Sequence, residues 1–106
     1  MKNDSILTTF LKKSAALRHK IQRIYIFGSR ARGTERPDSD YDLLLVVSAD
    51  FSLKDKDLLY DAVMDILLDT GKLVSLKIFK ENQFRRLSGM GTPFMTNVLK
   101  EGIRLG

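Results

Sequence analysis

The chain has no cysteine, a single histidine and only two prolines in 106 residues. Without cysteine, disulfides and thiolate metal sites are excluded. The lone His19 cannot build a zinc site by itself. Long apolar runs are also missing, and none approaches the ~20 residues that a membrane-spanning helix needs. Met1 to Phe10 is polar and helix-like and lacks the apolar centre of a signal peptide. Cytoplasm is therefore the expected compartment, and no membrane is expected as a partner. Disorder is not expected either, because hydrophobic residues make up 43% and charged residues 29%, an ordinary globular balance. At 106 residues the chain fits one domain, since two cores would each be too small to stand alone.

Positive charge is present in surplus, with a net charge of +5. A basic surface attracts phosphate-bearing partners. The basic residues Lys12, Lys13, Arg18, Lys20, Arg30, Arg32, Arg85 and Arg86 are spread among acids, so a solvated surface and a nucleic-acid face are both open readings.

Periodicity divides the chain into alternating elements. Ile6, Leu7, Phe10, Leu11, Ser14 and Leu17 recur at helical spacing, and Asp4 or Ser5 can cap the start, so an amphipathic helix is expected over 5–19. Ile21 to Phe27 is β-branched and aromatic and stops at Gly28, which predicts a strand. Gly33 to Ser39 is a loop by composition. Tyr41 to Val47 is an apolar run of strand length and is expected to be central and buried. Asp50 to Ser52 turns the chain. Lys54 to Leu68 carries a second helical stripe closed by Gly71. Leu73 to Phe79 suits a third strand. Glu81 to Leu87 and Pro93 to Lys100 read as two short helices around a break at Gly89–Gly91, with Pro93 in a first turn where its missing N–H is harmless. Helices must cover a sheet to bury its apolar faces, so the expectation is a small α/β (α+β) sandwich, a mixed sheet with helices packed on it.

The chemistry concentrates in two neighbouring segments, Phe27-Gly28-Ser29-Arg30-Ala31-Arg32-Gly33 and Ser39-Asp40-Tyr41-Asp42-Leu43. In the first, a strand ends in glycine, which lets backbone N–H groups approach a ligand closely. The Ser29 hydroxyl and the free N–H groups of a following helical turn then suit phosphate oxygens. Arg30 and Arg32 can add charge and donors. In the second, Asp40 and Asp42 are two apart, so on a strand both carboxylates project from the same face. They repel one another, and a divalent cation relieves that repulsion. Magnesium is commonly held by one or two carboxylates together with substrate phosphates. Taken singly, Gly28-Ser29 reads as a turn, Asp40-Tyr41-Asp42 as a solvated strand entry, and the arginines as surface charge. Their order and closeness set them apart, because carboxylates at the front of a very apolar strand carry a desolvation cost.

Gly28-Ser29-Arg-Ala-Arg-Gly33 followed by Ser39-Asp40-x-Asp42-Leu43 resembles the signature of the minimal nucleotidyltransferases. These are stand-alone relatives of the catalytic core of DNA polymerase beta, the tRNA CCA-adding enzymes and the aminoglycoside nucleotidyltransferases. The resemblance covers the motif closely and the whole chain in element order, and it implies that residues 1–106 form one nucleotidyltransferase domain. It implies that Ser29 contacts the triphosphate of ATP or another nucleoside triphosphate; Gly28, Arg30, Arg32 and Ser39 are the candidate nucleotide-binding residues read from the two segments around it. It implies that Asp40 and Asp42 are the catalytic acids and hold Mg²⁺ or Mn²⁺. It also implies a helical partner protein encoded nearby, since relatives occur in toxin–antitoxin pairs where the transferase can adenylylate the toxin.

The chain departs from that pattern in one place. Active members carry a third carboxylate on the later strand, and within Leu73 to Phe79 the matching position is Ser75, with Lys77 next on its face. Neither is a good metal ligand. Asp65 and Asp69 lie nearby in sequence, but on the helix side of Gly71. Binding of a metal–triphosphate is thus better supported than turnover. The leading expectation is an enzyme transferring a nucleoside monophosphate, AMP first among them, to an acceptor hydroxyl. The alternative is a catalytically weak module that binds a nucleotide and a partner. A basic nucleic-acid-binding domain is the least favoured. Among smaller signals, Tyr25, Tyr41, Tyr60 and the phenylalanines read as core packing and His19 as a helix C-terminal cation. Met90 and Met95 read as gap fillers. Phe94, Val98 and Ile103 form an apolar seam, packed on the sheet or buried in a homodimer.

Overall fold

The computed structural model describes residues 4–106, so Met1 to Asn3 of the N-terminal stretch lie outside it. Helix α1 (Ser5–Lys13) is capped by Asp4, whose side chain accepts hydrogen bonds from the Ile6 and Leu7 N–H groups at 2.9 and 3.2 Å. It buries Ile6, Leu7 and Phe10. The expected helix over 5–19 does not run through. The buried Ser14 hydroxyl donates back to the Phe10 carbonyl at 2.8 Å, and the chain tightens into a 3₁₀ turn over Ala15–Lys20. A serine that bonds to the preceding turn competes with the regular helical ladder and bends it. His19 therefore sits in that 3₁₀ turn, not at an α-helix terminus.

Strand β1 (Ile21–Phe27) is followed by a single helical turn, α2 (Ser29–Arg32), then the loop and strand β2 (Tyr41–Val47). Helix α3 (Leu53–Thr70) opens on a reciprocal cap in which Ser52 Oγ accepts from the Asp55 N–H and Asp55 accepts from the Ser52 N–H. Strand β3 (Val74–Lys80) leads directly into α4 (Glu81–Met90) and α5 (Pro93–Glu101). Gly89 lies inside α4, and the break falls at Gly91. A two-residue strand, β4 (Ile103–Arg104), was not expected from the sequence, being too short to show alternation.

The four strands lie in the order β3-β2-β1-β4. β1 pairs antiparallel with β2 and β4, and β2 pairs parallel with β3, so the sheet is mixed. β2 is central, which explains its unbroken apolar run; both of its faces are covered. On one face Leu43, Leu45 and Val47 pack with Ile24, Ile26, Val74 and Leu76 beneath α1 and α3. On the other, Leu44 and Val46 pack with Tyr25, Phe27 and Phe79 beneath Phe84 of α4 and Met95 and Val98 of α5. Met95 fills that core, whereas Met90 is exposed. The C-terminal seam is divided: Val98 is buried, Phe94 meets Phe27 edge to face at 5.5 Å, and Ile103 lies on β4 with 37% of its surface exposed. Among the described residues no helix is long and apolar enough to cross a membrane.

Asp55 links the end of the 3₁₀ turn to α3, accepting from the Lys20 ammonium at 2.9 Å. That bond, together with the Ser52 N–H, holds its pKa down at about 2. A depressed carboxylate pKa stabilises the fold fully above the unfolded value and loses that contribution as the acid titrates. Stability should thus fall from about pH 4 through about pH 2, and Asp55→Asn should flatten this part of the profile. Guanidinium unfolding midpoints over that range measure it. Identical slopes for both proteins would remove the pair from the account.

Candidate active site

The two motif segments meet at one end of the sheet. β1 delivers Phe27 opposite Asp42 in the antiparallel register, and the chain then turns away at Gly28. Gly28 has φ 75° and ψ −155°, a region that side chains other than glycine scarcely occupy. A Cβ at this position would stand 2.5 Å from Asp42 Oδ2. The Asp42 carboxylate is thus packed against bare backbone. α2 begins at Ser29, and its first N–H groups lack partners within the turn, as at any helix start. Gly33 closes the turn in the left-handed conformation.

Asp42 lies on β2, and Asp40 is exposed just ahead of the strand. Asp42 is half-buried. Burial, and next the neighbouring charge of Asp40, push its pKa above the usual carboxylate value, while Lys77 and Arg32 pull it down. The pair is therefore electrostatically coupled, as the two-residue spacing leads one to expect. Among the described residues no group of three or more His, Asp or Glu side chains is placed to hold a metal ion, so any cation here would rely on this pair and on its own ligand.

Arg30 and Ser39 take structural positions. The Arg30 guanidinium donates to the Ser39 carbonyl at 2.9 and 3.3 Å and lies 3.8 Å from the centre of the Tyr41 ring. The Ser39 hydroxyl accepts from the Arg36 N–H at 2.9 Å. Both thus fasten the loop between α2 and β2. Lys72 reaches the Pro37 carbonyl of the same loop. Tyr41 is buried and its hydroxyl donates to Asp4 Oδ2 at 2.8 Å; burial first, and that bond second, raise its pKa to about 12. Arg32 remains near Asp42 but also faces Glu101 of α5 at 3.5 Å. No sequence signal pointed to Glu101, because the contact joins residues distant in the chain.

The neighbour of Asp42 on β3 is a serine. In the parallel register Asp42 stands beside Ser75 and Leu44 beside Lys77. Asp65 approaches Lys13 of α1 at 3.6 Å. It belongs to the helix layer on the opposite face of the sheet from Asp42, and α3 ends at Thr70, just past Asp69.

Comparison with known proteins places the chain. The sequence profile described as "Polymerase beta, Nucleotidyltransferase" matches residues 10–105. A Methanocaldococcus jannaschii protein, provisionally named a protein adenylyltransferase, is 34% identical over 85 residues, covering 80% of this chain and 78% of the relative. Among solved structures, one titled as a provisional nucleotidyltransferase from Sulfolobus solfataricus superposes with a TM-score of 0.60 at 20% identity, over 93% of this chain and 75% of that one. A toxin–antitoxin structure with AMP-PNP gives a TM-score of 0.56 at 20% identity, over 98% and 73%. At such identities these structures speak to the fold alone.

The packing of Asp42 on Gly28 makes a sharp demand of residue 28. Gly28→Ala should destabilise the fold by about 1–3 kcal/mol, from the backbone conformation and the displaced carboxylate together. It should also weaken any ligand held by Asp42. Chemical denaturation measures the first effect; an unchanged midpoint would mean that the close approach is not enforced.

Proposed function

This chain belongs to the polymerase beta nucleotidyltransferase family, and on that premise we propose that it binds a metal-complexed nucleoside triphosphate and transfers its nucleoside monophosphate, AMP in the first instance, to a hydroxyl on a partner protein. The observation that carries this reading is the Asp42 carboxylate, half-buried against Gly28, coupled to Asp40. Two repelling carboxylates beside a strand-ending glycine fit a divalent cation, because the cation removes the repulsion and its remaining positions take phosphate oxygens and water. Asp40 and Asp42 would hold the ion, and when bound it would offset charge on the phosphates. Ser29 and the adjacent N–H groups receive the triphosphate, with Arg32 as the nearby cation. Arg30 and Ser39 hold the loop that carries Asp40 and are assigned no phosphate contact.

In the transfer, the acceptor oxygen forms a bond to the α-phosphorus and the bond from that phosphorus to the bridging oxygen breaks. Pyrophosphate leaves, and the hydroxyl proton passes to solvent or to a base. Ser75, beside Asp42, offers no such base. That register favours a second reading, in which the chain binds the nucleotide and a partner with little turnover by itself. A protein acceptor is supported by the name of the M. jannaschii relative, a provisional protein adenylyltransferase, and by the fold shared with a toxin–antitoxin structure. A helical protein encoded nearby is the first candidate.

Labelled transfer decides between these readings. With α-labelled ATP, Mg²⁺ and the neighbouring protein, label should pass to that protein, and chelation of the metal should stop it. Asp40→Asn with Asp42→Asn should abolish transfer. Ser75→Asp should raise it on the order of a hundredfold, the usual effect of one positioned catalytic group. Should the double variant transfer at the wild-type rate, the site assignment fails. Turnover by the wild-type chain at roughly 1 per second or faster, unaltered by Ser75→Asp, would overturn the reading of position 75.

A further inference from the structure

Alternation along β3 places Val74, Leu76 and Ile78 in the core shared with α1 and α3. Ser75, Lys77 and Phe79 consequently lie on the opposite face, the one carrying Asp42, Leu44 and Val46 of β2, and Phe79 does pack in that second core. Lys77 is thus on the strand next to Asp42, on the same face, two residues beyond the Ser75 that stands beside it. β3 is an edge strand, so the lysine has solvent on one flank, and its side chain is exposed. Among the described residues, none of the ion pairs within 4.0 Å uses Lys77. Its charge is nonetheless felt at Asp42, where it opposes the influence of Asp40. The remaining cation acting on that carboxylate, Arg32, is shared with Glu101.

We propose that Lys77 supplies the second positive charge of this site, so that one divalent cation, and not two, accompanies each triphosphate. The inference rests on the reading of Asp40 and Asp42 as the metal-holding pair. The charge balance supports it. Two-metal sites clamp the attacking and leaving oxygens with a pair of dications and need enough anionic ligand to hold both. Here the acids close to one another are two, a serine stands beside Asp42 in the register, and a cation lies next on the face of that serine. A second dication would share two carboxylates with the first and meet the ammonium. A lysine is a compact point charge on a flexible stem, suited to a phosphate oxygen and able to follow it. Lys77 is therefore a positioning residue for the phosphate chain, and it excludes a second ion.

Manganese titration followed by electron paramagnetic resonance, with a non-hydrolysable ATP analogue, reads the stoichiometry without reference to turnover. One Mn²⁺ per chain is expected in the wild-type complex, with no spin-coupled pair. Lys77→Met, a substitution at an exposed position, should weaken the analogue about tenfold, the scale of one charged hydrogen bond. Lys77→Arg should recover most of that loss, which a merely structural role would not. Combining Ser75→Asp with Lys77→Met should admit a second Mn²⁺. Two coupled ions in the wild type, or unchanged affinity in Lys77→Met, would overturn the inference while leaving the Asp40–Asp42 site intact. If the wild type binds the analogue equally well without Mn²⁺, or after Asp40→Asn with Asp42→Asn, the underlying site falls and this inference with it.

Discussion

The Asp42 carboxylate rests on the Cα of Gly28, in space that any other residue's Cβ would claim. That contact fixes much of what surrounds it. Antiparallel pairing brings Phe27 opposite Asp42, so the chain must leave the sheet at the next residue, and it does so with a backbone conformation open essentially to glycine. α2 then begins within reach of the carboxylate. The returning loop can be short only if it is held, and Arg30 holds it by gripping the Ser39 carbonyl and lying over Tyr41. Tyr41 is in turn tied to Asp4, the cap of α1. One close approach thus links the first helix, the loop and the central strand.

The two faces of the sheet divide the labour. α1 and α3 cover one face with a dense apolar core, and the central strand contributes Leu43, Leu45 and Val47 to it. α4 and α5 cover the other face over Leu44 and Val46. Asp42 belongs to this second face, at the end of the strand, where Leu44 is the first residue of the second core and Asp42 itself stays only half-buried. Burial of Leu44 and Val46 makes the strand rigid where the carboxylate leaves it. A charged group can then be held in place by neighbours that never touch it.

Much of this was legible before any coordinates. The apolar run at 41–47 announced a strand covered on both sides, and Gly28 announced the exit from β1. The family resemblance pointed to Ser75 as the counterpart of a third acid, and in the parallel register Ser75 stands beside Asp42. What stayed hidden depended on partners distant in sequence or on competition within a turn. The bond from Ser14 to Phe10 splits the first helix, although the apolar spacing there is continuous. Nothing local showed that the Arg30 guanidinium would meet the Ser39 carbonyl and the Tyr41 ring. Asp65 is near in sequence, but α3 packs on the far face with that residue turned to Lys13. β4 is two residues long, and a period cannot be read from two residues.

The electrostatics of position 75 act on folding as well as on chemistry. Asp42 is already held less readily ionised than a free carboxylate, by burial and by Asp40. At neutral pH its charge therefore opposes folding of the ligand-free chain, since a raised acid pKa stabilises only while the group keeps its proton. A third carboxylate at 75 would stand directly beside Asp42 in the register and deepen that opposition. Serine adds no charge there, and Lys77 on the same face relieves part of it. Ser75 and Lys77 thus make this end of the sheet easier to fold around Asp42. On the proposed function, a ligand-supplied cation would complete the neutralisation of Asp40 and Asp42 that Lys77 only begins.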